Sequence, residues 1–150
     1  MDTNGLPNGA LEKCLDELDP PAWTQQPSHH DSHLVTTCHQ LRRKRIGEFT
    51  VEDLRIMIGQ KMGLEFLVPL AIEKIELEPL ASGDFYPGDL LRNVLCVSLE
   101  FWNEHPNLHR RLIAAIREVD GPTREVASLM VAFPKELTRT SRRRRRLTRR

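Results

Sequence analysis

The sequence predicts an all-α protein: a compact bundle of about five to six short helices, with a basic C-terminal tail that is disordered or loosely helical. Three observations predict it. Apolar residues recur at i, i+3, i+4 and i+7 through much of 31–119. Ser, Thr or Asp stands ahead of those stripes, and Gly or Pro follows them, as helix starts and stops require. The last ten residues, SRRRRRLTRR, repel one another and have no apolar face to bury. The domain boundaries that follow are 1–27, an acidic segment with a short helix; 28–120, the helical domain; and 121–150, the basic tail.

At the N-terminal end, Asn8 can cap a short helix in which Leu11, Cys14, Leu15 and Leu18 share a face, and Asp19-Pro20-Pro21 stops it. Two turns are marginal alone, so this helix docks through Leu11, Leu15 and Leu18 or melts. Trp23, in the linker that follows, is a candidate for packing on the core. A second helix starts at Asp31 or Ser32. Its apolar face is Leu34, Val35, Cys38 and Leu41, and it closes on Arg42, Arg43, Lys44 and Arg45, cations suited to a helix C-terminus.

The centre of the chain is 49–95. Thr50 precedes Val51-Glu52-Asp53, so its hydroxyl can cap the first turn while Asp53 reaches back to the Thr50 amide. Val51, Leu54, Met57, Ile58 and Met62 then share a face, with Gly63 as the stop. The next stripe is Leu64, Leu67, Val68, Ala71, Ile72 and Ile75, ended by Pro79. Pro69 lies inside it. A proline has no N–H and collides with the carbonyl four residues back, so a short turn from Gly63 joining a longer helix near Pro69 is expected. ASGDFYPGD follows, a turn-rich loop of Gly, Pro and Asp. Phe85 and Tyr86 within it either staple the loop to the core or offer an aromatic anchor to a partner. Asp84, or Gly88 with Asp89, leads into a helix carrying Leu90, Leu91, Val94 and Leu95.

Ser98 can cap LEFWNEH, with Phe101 and Trp102 as bulky core residues. Pro106 suits the first turn of a last helix whose inward face is Leu108, Leu112, Ala115, Ile116 and Val119. Gly121-Pro122 is expected to end the ordered domain. Beyond it Val126, Leu129, Met130 and Val131 can form a loose helical turn, interrupted at Phe133-Pro134.

The net charge of +1 hides strong sorting. Residues 1–27 carry one base against five acids, 46–104 carry four bases against eleven acids, and 121–150 carry ten bases against two acids. The blocks, and not the sum, therefore describe what the surface presents. No apolar run approaches the ~20 residues of a membrane-crossing helix. The start lacks the basic-then-apolar pattern of a secretory leader. The three cysteines, Cys14, Cys38 and Cys96, are scattered, as reduced thiols of a cytoplasmic protein would be.

His29, His30, His33, Cys38 and His39 raise a metal reading. No Cys-x-x-Cys or His-Glu-x-x-His spacing supports it, and Cys38 already falls in the apolar phase. No metal or cofactor is expected. The chain also lacks a nucleophile elbow and a phosphate-cradling loop; GDFYPGD has neither the lysine of a phosphate loop nor calcium-ligand spacing. Asp84 and Asp89 are more simply turn and cap residues than an acid–base pair, so no enzyme is expected.

SHLVTTCHQLRRK, FTVEDLRIMIGQKMGLEFLVPLAIE, PLASGDFYPGDLL, and then EFW and HP, follow one another in an order and spacing that resembles the small bacterial immunity proteins of contact-dependent growth inhibition (CDI) systems, over about 31–118. The segments 1–27 and 121–150 depart from that pattern. The resemblance implies a non-catalytic helical protein that binds the toxin domain of a CDI effector. Delivered toxins that act on nucleic acid have basic clefts, and an acidic surface steers encounter with such a partner. Charge and loop placement make Glu52, Glu65, Glu73, Glu76, Asp84 and Asp89, with Tyr86, the candidate toxin-binding face. The alternative is a nucleic-acid-binding adaptor acting only through the arginine tail. No membrane partner is expected.

Overall fold

The computed structural model describes residues 5–137. The all-α expectation holds: the described residues form eight α-helices and two short 3-10 turns, and no strand. The expected arginine run at 141–150 lies outside the described residues. Among the described residues, no helix is long and apolar enough to cross a membrane.

The N-terminal segment is more broken than its apolar spacing suggests. A 3-10 turn at Ala10–Glu12 and a one-turn helix α1 (Leu15–Leu18) replace the continuous helix, with Cys14 between them paired to Arg45 in an isolated bridge. Leu15, Leu6 and Ala10 are buried, whereas Leu11 is exposed. The segment therefore docks, through a partly different set of side chains. Helix α2 (His33–Arg42) starts where Ser32 accepts the Val35 N–H at 3.2 Å. Cys38 and Leu41 are buried and Leu34 and Val35 are not. Its last residue turns inward instead of facing the solvent. Arg42 is buried, donating to Asp16 at 2.8 Å and to the Asp19 carbonyl at 2.9 Å, with its guanidinium 5.0 Å from the Trp23 ring. A buried arginine needs this many partners to offset its desolvation.

Helix α3 (Val51–Gly59) has the capping box read from the sequence: Thr50 Oγ1 accepts the Asp53 N–H at 3.1 Å, and Asp53 accepts the Thr50 N–H at 3.0 Å. The helix stops at Gly59, four residues before Gly63. Gly63 instead caps the next helix in a left-handed conformation, φ 58°. A Cβ there would lie 2.6 Å from the Leu15 side chain, so glycine is needed for both reasons.

Helix α4 (Leu64–Leu77) runs through Pro69 unbroken. Proline removes one rung, the bond to the Glu65 carbonyl. Leu67, Val68, Ala71, Ile72 and Ile75 are fully buried on both sides of that rung, and their packing holds one helix where local chemistry favours two. Helices α5 (Asp89–Leu95), α6 (Leu99–Glu104) and α7 (Pro106–Ile116) follow. Ser98 accepts the Phe101 N–H at 3.4 Å and Pro106 opens α7, both as expected. Trp102 is fully buried and donates its indole N–H to the Val97 carbonyl at 3.1 Å.

The fold does not end at Gly121-Pro122. Thr123 caps a helix α8 (Arg124–Ala132), accepting the Val126 N–H at 3.3 Å. Val126 is buried against the bundle, and α8 packs on α5. Phe133 is buried between Trp102 and His109, with ring centroids at 5.5 and 5.4 Å. His109 is buried too and bonds the Pro134 carbonyl at 2.7 Å. Val126 and Phe133, with the His109 bond to Pro134, thus tie 124–134 to a core that spacing alone closes at Val119. Within that core α3 is central: α2, α4 and α5 pack on it, and α7 packs on α4.

Candidate functional site: an acidic loop edge

The loop 78–88 joins α4 to α5 and is bonded at Asp84 to the first turn of α3. Asp89, the first residue of α5, is only 3% exposed. One carboxylate oxygen accepts the Gly83 N–H at 2.7 Å, the other the Phe85 N–H at 3.1 Å, and the second lies 3.8 Å from Arg55 Nε. From α3, Glu52 accepts the Asp84 N–H at 2.6 Å and the Arg55 guanidinium. Two carboxylates, with Arg55 against both, therefore hold three consecutive backbone amides. Gly83 allows this closeness, since a Cβ there would run into the Glu52 carboxylate.

These contacts are charge-assisted, and they shift Glu52 and Arg55. The Arg55 hydrogen bond holds the Glu52 carboxyl below its ordinary range; partial burial opposes this and the Asp84 amide reinforces it. The same bond raises Arg55, which stays charged.

The two loop aromatics are treated differently. Tyr86 is half-buried and its hydroxyl donates to Glu125 of α8 at 3.4 Å. Burial, and then the Glu125 charge, push its phenol up. Arg92 donates to the same Glu125 at 3.0 Å and to Asn93 at 3.0 Å, and Asn93 donates to the Arg55 carbonyl at 2.8 Å. Phe85 points outward, 71% exposed, with the Arg55 guanidinium 4.4 Å from its ring centre. Together these groups border an open recess of about 230 Å³.

Of the seven candidate residues, the structure brings together Glu52, Asp84, Tyr86 and Asp89. Within this group Asp89 is a buried organiser of the loop, and Asp84 is the exposed acid. Glu65, Glu73 and Glu76 lie along α4, apart from the loop. Glu76 pairs with Arg111 of α7. Glu65 borders a second recess of about 380 Å³ with Glu104, His105 and Arg111. Arg55, Arg92, Asn93 and Glu125 complete the loop edge and were not singled out from the sequence. The three-residue spacing of Glu52 and Arg55 was a signal for the first of them. Glu125 had none, lying beyond the expected end of the domain.

The histidines do not converge. His29, His30 and His33 are exposed, His39 packs edge-on to Trp23 at 4.8 Å, and burial raises the Cys38 thiol beside them. Within the loop edge, the Glu52 and Asp89 carboxylates are committed to amides and, for Glu52, to the Arg55 guanidinium. What the arrangement offers is a hydrogen-bonded loop that presents exposed Phe85 and Asp84 beside an open recess.

The family described as CDI immunity proteins matches this chain over residues 17–112. That span, well over half the chain, includes α2 to α6 and the whole loop edge except Glu125. No curated protein matches the chain.

Proposed function

The chain belongs to the family of CDI immunity proteins, and we propose that it neutralises the toxin domain of a contact-dependent growth inhibition effector by stoichiometric binding, without catalysis, in the cytoplasm of the cell it protects. The family match carries this reading. The loop edge supports it physically. Preorganised loops bind with less ordering cost, and an acidic surface steers a basic partner. Asp84, Glu52 and Tyr86 form the contact face in this reading. Asp89 acts through the loop it holds, and Glu65, Glu73 and Glu76 on α4 extend the negative field.

The test is titration of a purified toxin domain, encoded immediately upstream, with the full chain. Inhibition should be complete at one molar equivalent, and co-expression should rescue cells. Inhibition that completes at a small fraction of an equivalent would show turnover and reject the binding mechanism. Removal of 141–150 should leave protection intact, because the reading needs no nucleic-acid contact.

A further inference from the structure

Three large apolar side chains stand mostly in solvent: Leu77 at 81%, Phe85 at 71% and Val131 at 84%. Single exposed leucines and valines are ordinary. Leu77 is the last residue of α4, and Val131 lies on α8, outside the family match. Phe85 differs in three ways. It is aromatic and within the matched span. Its backbone amide is fixed by buried Asp89. Its ring has a guanidinium against it, and Arg55 is itself held by Glu52 and lies close to Asp89. The ring is thus supported from beneath and presented outward, while its neighbour Tyr86 is tied to Glu125. A rigid aromatic with little rotamer freedom left to lose is the kind of residue that dominates binding energy at interface centres.

We infer that Phe85 is the anchor of the toxin interface: its ring enters an apolar pocket on the toxin domain whose rim is basic and meets the exposed carboxylate of Asp84. This rests on the toxin-binding reading above. The stacked Arg55 fixes the ring's direction and seals its inner face. The acids around it supply attraction at long range, and the ring supplies affinity at contact. The two contributions differ in salt dependence, since screening weakens exposed charges and leaves apolar burial in place.

The experiment measures dissociation constants of full-length variants against the purified upstream-encoded toxin domain, at about 0.15 and 0.5 M salt. Phe85→Ala should weaken binding at least about tenfold at both concentrations, while Leu77→Ala and Val131→Ala stay within about threefold of the unaltered chain. Asp84→Lys should weaken binding strongly at the lower concentration and much less at the higher. The Phe85→Ala chain should unfold at the same urea concentration as the unaltered one, because the ring is mostly solvated already. A Phe85→Ala chain that binds within threefold of the unaltered chain overturns the anchor and leaves toxin binding standing. An unaltered chain that does not bind the toxin domain removes the toxin-binding reading, and the anchor with it.

Discussion

The loop edge and the α4–α7 flank both pair acids with an arginine, and the pairs do different work. At the flank, Glu76 and Arg111 meet between two helices with side chains 40% and 28% exposed. Water screens such a pair, and its removal changes little. At the loop edge, Asp89 and Glu52 have side chains 4% and 19% exposed, and they fix three amides as well as Arg55. Residues of the same type, in the same acidic block, are a solvated pair in one place and the frame of a loop in the other. The count of acids in a segment therefore does not locate a binding face; which backbone donors those acids hold is the more informative observation.

Replacing one acid from each region should separate them most widely. Asp89→Ala leaves two loop amides without acceptors and removes a buried neighbour of Arg55, and it should lower stability by about 3 kcal/mol in urea unfolding. Glu76→Ala should fall within about 0.5 kcal/mol. Equal effects would erase the distinction.

Glu52 adds a pH dependence. Its folded carboxyl lies below the ordinary value of 4.5, chiefly through the Arg55 bond. Its contribution is therefore present above that value and is lost as pH falls through the depressed folded one. Glu52→Gln should cost about 1–2 kcal/mol at neutral pH. The gap from the unaltered chain should close as pH falls below 4.5 and through the depressed folded value, as urea melts over acidic pH would show.

The smallest effect concerns the tie from α8 to the loop. Tyr86 is the chain's one tyrosine, so its ionisation can be followed without interference. Burial and Glu125 raise it above the ordinary 10.0. Glu125→Ala should move the midpoint of an ultraviolet titration downward, while leaving it above 10.0 because burial is the larger cause. No movement would detach α8 from the loop edge.

What was legible in the sequence was local. Thr50 with Asp53, Ser32, Ser98 and Pro106 each act within three or four residues, and the structure uses all of them as read. Contacts across long sequence separations were not legible. Arg42 looked like a helix-end cation because Asp16, 26 residues away, gives no sign of approaching it. Pro69 looked like a break because its penalty is local, whereas the packing that overrides it comes from other helices. α8 looked like a loose turn because Gly121-Pro122 before it and Phe133-Pro134 after it are local breakers, though Val126 and Phe133 are buried and dock it. At the site, spacing linked Glu52 to Arg55. It could not distinguish a buried Asp89 from an exposed Asp84, or an outward Phe85 from a tethered Tyr86.

The most direct measurement of the central claim is amide hydrogen exchange of the full chain, alone and with one equivalent of the toxin domain. Binding at the loop edge predicts new protection concentrated in 82–87 and the first turn of α3, with the α4–α7 flank unchanged. New protection confined to the α4–α7 flank, with 82–87 exchanging as in the free chain, would contradict it.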